Sequence, residues 1–435
     1  MRQGPDEAPL PERAVLEWAL PALGATDAVP ATEPSILRIL IVTDEMEVGG
    51  SQRQILNLAA GLVRAGHGVT VAYFCERSFF VDELEQAGVR VVALDKRRRL
   101  DLPFLRRLVA LVGSQPFDVV HAFAFSAEWW TCLSLACQRG PRRARFVTSI
   151  RGTYDWYGPW QWRVKRWVSR RSDQVVANSR AGAQAVVEKL GLPPAAVTVI
   201  YNGVADPTDH ARAREQVRQT LALDQKVPVV LFAGRLVEVK DVATLVRAFA
   251  CGCAAPATLL ICGDGPLRGG LQDLVAELGL GHRVRFLGQR PDVEALIAAS
   301  DVVVLPSRHE GLSNVILEAM RGGRPVVASR TGGNVELVEP GVTGQLFEVG
   351  DVPGLARALE MLMADGALGA RMGAVAAARV QEHFTNRAMV TAFAELYRST
   401  TDGTARRASS ADSEGGPGPG PIRDSRKADH VRYVG

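Results

Sequence analysis

Cysteine is scarce: six residues in 435, with no Cys-x-x-Cys pair, which excludes a disulfide framework. Cys132, Cys137 and Cys262 lie in apolar runs and are expected to be buried thiols of a reducing compartment. Cys251 and Cys253 have no neighbouring His or Cys to complete a ligand set, so no metal is predicted. Long hydrophobic runs are missing too. No stretch of about 18 uncharged apolar residues occurs, so no transmembrane helix is expected. The N-terminal stretch is acidic and broken by prolines, unlike a signal peptide, which points to a cytoplasmic protein. Nothing resembles a Walker loop. An excess of one charge is also absent, since 51 basic against 47 acidic residues leave +4, and bulk charge gives no argument for nucleic acid.

What is there is an average globular composition, 47% hydrophobic and 23% charged, which excludes global disorder, collagen and a coiled-coil rod. At roughly 100–200 residues per domain, the length predicts two domains, or three. Residues 1–36 hold six prolines and six acids and read as an unpacked lead-in. Residues 401–435 are rich in Gly, Pro and Ser, with too few large apolar groups to offset ordering entropy by burial. Between them, short β-branched runs alternate with helix-length amphipathic segments. The runs are 37–43, 68–74, 89–94, 117–121, 145–150, 174–178 and 197–201, then 227–234, 257–263, 283–288, 301–305, 324–329 and 344–349. Continuous apolar strands separated by helices mean parallel sheets covered on both faces. The polar stretch 206–226 breaks the rhythm and reads as a linker with one helix. The fold class is therefore α/β, with two doubly wound sheets whose ligands sit at the carboxyl ends of strands, in the cleft between them.

Three segments at such strand ends carry chemistry. Gly49-Gly50 separates the first strand from a helix and lets backbone N–H groups approach an anion. A ligand-free tight turn explains the pair equally well. Arg235 and Lys240 lie just past a strand end at the start of a helix, where the helix dipole disfavours cations and a diphosphate would suit them. The segment 301–318 ends a buried strand at Leu305, places Glu310 and Gly311 in a loop, offers Ser313 or Asn314 as a helix cap, and sets Glu318 about a turn inside the helix. Both carboxylates border one pocket, and a carboxylate there accepts hydrogen bonds from vicinal hydroxyls such as those of a ribose.

Taken whole, Leu-Pro-Ser-Arg-His-Glu310-Gly-Leu-Ser-Asn-Val-Ile-Leu-Glu318 with the following Ala-Met-Arg-Gly-Gly-Arg-Pro resembles the donor-binding core of retaining glycosyltransferases of family 4. The resemblance continues in Gly234-Arg235-Leu236, Gly263-Asp264-Gly265-Pro266, Gly332-Gly333-Asn334-Val335-Glu336, Ala177-Asn178-Ser179 and Tyr201-Asn202-Gly203-Val204, and spans about 37–400. It implies the GT-B fold, two Rossmann-like domains facing each other across a cleft. Residues 37–205 would be the acceptor-side domain, 206–226 the linker, 227–384 the donor-nucleotide domain, and 385–400 a helix returning to the first. The resemblance also implies a nucleoside-diphosphate sugar of UDP or GDP type as co-substrate, with no other cofactor and no metal. Arg235 and Lys240 would hold its diphosphate, with Gly50 approaching from the opposite domain and Gly265 beside them. Glu310 with the backbone of Gly311, Leu312, Ser313 and Asn314 would grip sugar and phosphate, Glu318 the ribose, and Arg290 the base. The absence of Asp-x-Asp agrees with metal-independent transfer. Other GT-B readings are an epimerase or a sugar-nucleotide-binding protein without turnover.

The chain departs from the family where many members carry a His. Here the strand ends in Ile150-Arg151-Gly152-Thr153. Arg cannot act as a general base, so Arg151 is a catalytic-site candidate that would hold an anionic acceptor or donor group. His121, ending the preceding strand, is the other acceptor-side candidate. Segment 154–171 packs four Trp, two Tyr and five Lys/Arg into eighteen residues. This suits an anionic membrane surface, with Lys96–Arg99 adding charge in the same domain, and with it a peripheral location at the inner face and a glycan or lipid-linked acceptor; the alternative is that the tryptophans pack the domain core and the basic groups are solvated.

Overall fold

The computed structural model describes residues 35–402, apart from 75–77, 99, 139–142, 155–156, 206–209 and 253–255. The lead-in and tail expected at 1–36 and 401–435 therefore lie outside the described residues, except at their inner ends. Each of the thirteen apolar runs corresponds to one strand, with β4 reaching one residue beyond its run. The first seven are β1 (Arg38–Thr43), β2 (Gly68–Tyr73), β3 (Arg90–Ala93), β4 (Val119–Ala122), β5 (Arg145–Ile150), β6 (Gln174–Ala177) and β7 (Val197–Val199). They form one parallel sheet in the order β3-β2-β1-β4-β5-β6-β7. Helices α1 (Gly50–Arg64), α2 (Val81–Gln86), α3 (Leu102–Gly113), α4 (Phe125–Ala136), α5 (Pro159–Ser169) and α6 (Arg180–Leu190) connect them.

Helix α7 (His210–Thr220) leads into the second sheet. Its strands are β8 (Val229–Ala233), β9 (Thr258–Cys262), β10 (Val284–Gly288), β11 (Val302–Leu305), β12 (Val326–Ser329) and β13 (Gly344–Phe347), in the order β10-β9-β8-β11-β12-β13. Helices α8 (Val242–Gly252), α9 (Arg268–Glu277), α10 (Val293–Ala299), α11 (Asn314–Arg321), α12 (Asn334–Leu337), α13 (Val352–Ala364) and α14 (Gly366–His383) cover it, and α15 (Asn386–Thr401) ends the described chain. Strand order reverses between β1 and β4 and again between β8 and β11. Each reversal opens a crevice at the carboxyl ends.

Burial holds the sheets together. Ile39 through Val42 and Val229 through Phe232 have no exposed surface, and each such side chain contributes about 1.5–3 kcal/mol. Helix α15 belongs to the first sheet's core, where Met389, Val390, Phe393 and Tyr397 join Ile55, Leu58 and Leu62 of α1. A Cβ at Gly61 would lie 2.3 Å from Val390 Cγ2, so glycine permits this close helix crossing. The chain crosses between sheets twice, side by side. Val204 N–H donates to Phe384 O at 2.9 Å, and Asn386 N–H donates to Val204 O at 3.0 Å.

Two expectations need correction. Much of the linker segment is part of the second domain: α7 is anchored by Arg218, whose fully buried guanidinium donates to Asp301 Oδ2 (2.7 Å) and to the carbonyls of Ala299, Asp224, Gln225 and Val227. The expected helix is present, and polar composition hid only its attachment, because alongside Val217 the group it buries is a saturated Arg. Among the thiols, Cys132 and Cys262 are buried, but Cys137 at the end of α4 is exposed, and Cys75 and Cys253 lie outside the described residues. Among the described residues, no helix is long and apolar enough to cross a membrane.

Candidate functional site

The second domain builds its half of the cleft from loops that interlock through glycines. A Cβ at Gly263 would sit 1.9 Å from Gly234 O, and one at Gly265 would sit 2.5 Å from Leu236 O. Only glycine lets the β8 and β9 loops touch backbone to backbone, which leaves Arg235 exposed at the rim. Lys240 reaches from the β8 loop to the carboxylate of Glu310 in the β11 loop. Ser307 Oγ donates to the same Glu310 oxygen at 2.6 Å, and Ser307 O accepts from Ser329 Oγ. Glu310 is thus fixed from two sides while its side chain keeps 11% exposure.

Ser313 caps α11 by accepting from Ile316 N–H at 3.3 Å, and Leu312 is buried. Glu318 follows on α11 with its pKa pushed up to about 7, first by burial and then by Glu294, against a partial offset from Arg53. Arg290 is held by a two-pronged pair with Asp292, Nε to Oδ1 at 2.8 Å and Nη2 to Oδ2 at 2.6 Å, which raises its pKa and lowers that of Asp292. Among the described residues, no cluster of His, Cys, Asp or Glu is arranged to hold a metal ion.

Contacts across the cleft bring the other half against these loops. Asn314 Nδ2 donates to Gly50 O at 2.8 Å, and a Cβ on Gly50 would lie 3.1 Å from that nitrogen. Asn314 Oδ1 accepts from Asn202 Nδ2 (2.8 Å) and from Gln54 Nε2 (3.2 Å). Gln54 also grips the crossing segment, donating to Gly203 O at 2.8 Å and accepting from Gly203 N–H at 3.1 Å. Farther along, the Glu336 carboxylate accepts from Arg180 N–H (3.0 Å), Ala181 N–H (2.8 Å) and the Tyr201 hydroxyl (2.9 Å). It serves as a cap for α6 supplied by the opposite domain. A Cβ at Gly311 would lie 2.3 Å from Arg151 O, so the β11 loop rests directly on the end of β5.

At that strand end Arg151 is half-buried, with its Nε shielded from water. Its N–H donates to the Tyr154 hydroxyl (2.8 Å), and its guanidinium lies over the Phe123 ring, 5.7 Å from the centroid. Burial pulls its pKa down to about 10. His121, whose place at the end of an apolar strand favours a structural role, is held as a core residue. It has no exposed surface, with Nδ1 on Tyr397 Oη (2.7 Å) and Nε2 on Ser149 Oγ (2.8 Å), and burial holds its pKa well below the usual range. It ties β4, β5 and α15 together and does not reach an acceptor.

Several residues here escaped sequence reasoning. Glu128 and Lys165 form a buried pair (2.5 Å) that also binds the Ser149 backbone from both sides. Glu128 stands as a lone acid in an apolar helix, a signal that was available. Asp44, at the end of β1, has its pKa raised to about 7 by burial, and its Oδ1 is buried without a hydrogen-bond partner. Gln54 gave no signal. In the Trp-rich segment, Trp160 is 51% exposed and Arg163, Arg166, Arg170 and Arg171 face solvent, while Lys165 points inward; Asp155, Trp156 and Arg99 lie outside the described residues.

Comparisons with known proteins agree with this geometry. The family described as "Glycosyltransferase Family 4" matches residues 48–206, and "Glycosyl transferases group 1" matches residues 227–365. The lipopolysaccharide core biosynthesis glycosyltransferase LpsE of Rhizobium meliloti (strain 1021) is 32% identical over 357 residues, covering 81% of this chain and 96% of that protein. The N-acetyl-alpha-D-glucosaminyl L-malate synthase of Bacillus anthracis is 30% identical over 301 residues, covering 68% and 78%. The crystal structure of Anabaena Alr3699/HepE in complex with UDP superposes with a TM-score of 0.74 at 27% identity, covering 83% of this chain and 100% of that one.

Proposed function

The chain belongs to glycosyltransferase family 4 and has the GT-B fold, and from that premise we propose that it transfers a sugar, with retention, from a nucleoside-diphosphate sugar to a hydroxyl acceptor. The observation that carries this reading is the Lys240–Glu310 pair, set at the carboxyl ends of β8 and β11, with exposed Arg235 in the same β8 loop. Without donor, each charge compensates the other, which avoids leaving either one desolvated and alone. A diphosphate takes over Lys240 together with Arg235, and Glu310 is then released to accept from sugar hydroxyls. Glu318 accepts from the ribose, Arg290 borders the base, and Gly50 with the backbone of Gly311–Asn314 lines the phosphates and sugar. The solved complexes of HepE with UDP and UDP-glucose make a UDP sugar the first donor to test, ahead of a GDP sugar.

In the proposed reaction the bond from C1 to the departing phosphate oxygen breaks while the acceptor oxygen bonds C1 on the same face. The acceptor's proton passes to that phosphate oxygen. Arg235 and Lys240 stabilise the charge that develops there. LpsE acts in lipopolysaccharide core biosynthesis, which supports a glycan or lipid-linked acceptor. Trp160 and the exposed arginines of α5 suit an anionic bilayer surface at the inner face of a membrane. Sedimentation with anionic vesicles tests this part: equal recovery in the supernatant with and without them ends it.

A thermal-shift screen against nucleoside-diphosphate sugars, followed by donor hydrolysis, tests the whole. A raised midpoint with one donor, and turnover abolished by Lys240→Ala or Glu310→Ala, is the expected result. Binding with no turnover on any acceptor would leave only a sugar-nucleotide-binding protein, and no shift with any donor would overturn the proposal.

A further inference from the structure

Arg151 stands out because, among the described residues, its charge has no counterpart. Among the described residues its guanidinium makes no hydrogen bond and no ion pair, and its Nε is buried without a partner. Among the described residues the nearby acids do not pair with it: Glu128 is held by Lys165, Glu310 by Lys240 and Ser307, Glu336 by the α6 amides, and Asp44, whose Oδ1 is buried without a partner, makes no ion pair with it. His121, beneath it, is neutral and saturated. Among the described residues, what remains around the cation is the Phe123 ring and the Tyr154 hydroxyl, which already accepts from the Arg151 N–H. A cation partly withdrawn from water and without an anion is unfavourable, and such a group marks a place for an anion from outside. Its position says where. The Arg151 carbonyl abuts Gly311, next to Glu310, and the guanidinium lies over the Phe123 ring just past β4, so the residue sits where the ends of β4 and β5 meet the β11 loop.

We propose that Arg151 is the receptor for an oxyanion, a phosphate or carboxylate carried by the substrate close to the transferred group, and that it sets which substrates the cleft accepts. The inference rests on reading this cleft as a glycosyl-transfer site and names the chemistry of one substrate in it. The oxyanion has two sources, an acidic acceptor or an acidic donor sugar. In either case the planar guanidinium pairs with two of its oxygens at once.

Isothermal titration of the full chain separates the sources. UDP-glucose against UDP-glucuronic acid probes the donor side. Inorganic phosphate and L-malate against glycerol, each with and without saturating UDP, probe the acceptor side. The wild type is expected to prefer the anionic members of one set, and Arg151→Gln to lower that preference roughly ten- to a hundredfold, as loss of charge-assisted hydrogen bonds requires. Arg151→Lys retains charge without the fork and falls between. Should Arg151→Gln not fold, Arg151→His carries the same comparison. A wild type indifferent to charge in both sets, or a variant that keeps the full preference, overturns the proposal. Failure of UDP itself to bind the wild type counts against the donor reading alone, because phosphate and malate are also titrated without it.

Discussion

Removing the Glu336 carboxylate should open the cleft without unfolding either domain. Helix α6 begins with three N–H groups that need acceptors. Ser179 takes the Gly182 N–H at 3.0 Å, and Glu336, from the other domain, takes those of Arg180 and Ala181. A third bond comes from the Tyr201 hydroxyl, whose pKa is raised by burial and by the Glu336 charge. Each hydrogen bond to a charged group contributes about 1.5–3 kcal/mol when buried. These groups are half-buried and share one carboxylate, so the three together hold the domains by about 2–4 kcal/mol rather than the full sum. Glu336→Ala should therefore shift the closed-to-open ratio roughly 30- to 800-fold. Small-angle scattering is expected to show a larger radius of gyration without donor, and kcat/KM to fall while the thermal midpoint moves little. Glu336→Gln keeps an acceptor and should lose less, and Tyr201→Phe should lose about 1 kcal/mol. An unchanged radius with a lowered midpoint would refute the reasoning, because it would make the carboxylate a helix stabiliser rather than a latch.

Gly311→Ala places a methyl 2.3 Å from Arg151 O, an overlap costing about 1–3 kcal/mol that falls on the closed form, so KM for donor should rise with little change in the midpoint. Glu318 titrates near 7, and ribose hydroxyls favour its ionised form, so uridine binding at about pH 6–7 should release part of a proton; calorimetry in buffers of different ionisation heat reads this, and Glu318→Gln abolishes it. His121 has a lowered pKa, so the unfolded chain binds the extra proton; its contribution is full above about 6.5 and is lost as pH falls, and His121→Gln should flatten the decline of the midpoint toward pH 5. Lys165→Met leaves Glu128 alone in the core and should cost about 3–5 kcal/mol by denaturant unfolding, with Glu128→Gln/Lys165→Met less harmful than the single change.

The strands were legible because a buried parallel strand is an uninterrupted β-branched run, and 145–150 coincides with β5 to the residue. The donor-side loops were legible for a different reason: Glu310 and Glu318 lie within one short string. Contacts between distant segments were not. Gln54 and Gly203 are 149 residues apart, and nothing about an ordinary Gln on an amphipathic helix announces a partner there. The α7 segment was misjudged because hydrophobicity is a poor guide where the buried group is Arg218. His121 and Arg151 end adjacent strands, and only the packing of Tyr397 against His121 separates a core residue from a cleft residue.

Helix α15 bears on how the protein is made. The first sheet leaves the ribosome well before the second, yet part of its core, Met389, Val390, Phe393 and Tyr397, is encoded near the far end of the described chain. During vectorial synthesis the earlier domain must wait with the α1 face and the His121 pocket uncovered, while the later domain, whose strands and α7 are contiguous between 210 and 347, closes on its own. The half translated first is thus finished last, and its maturation is timed by emergence of residues 386–401 rather than by its own seven strands.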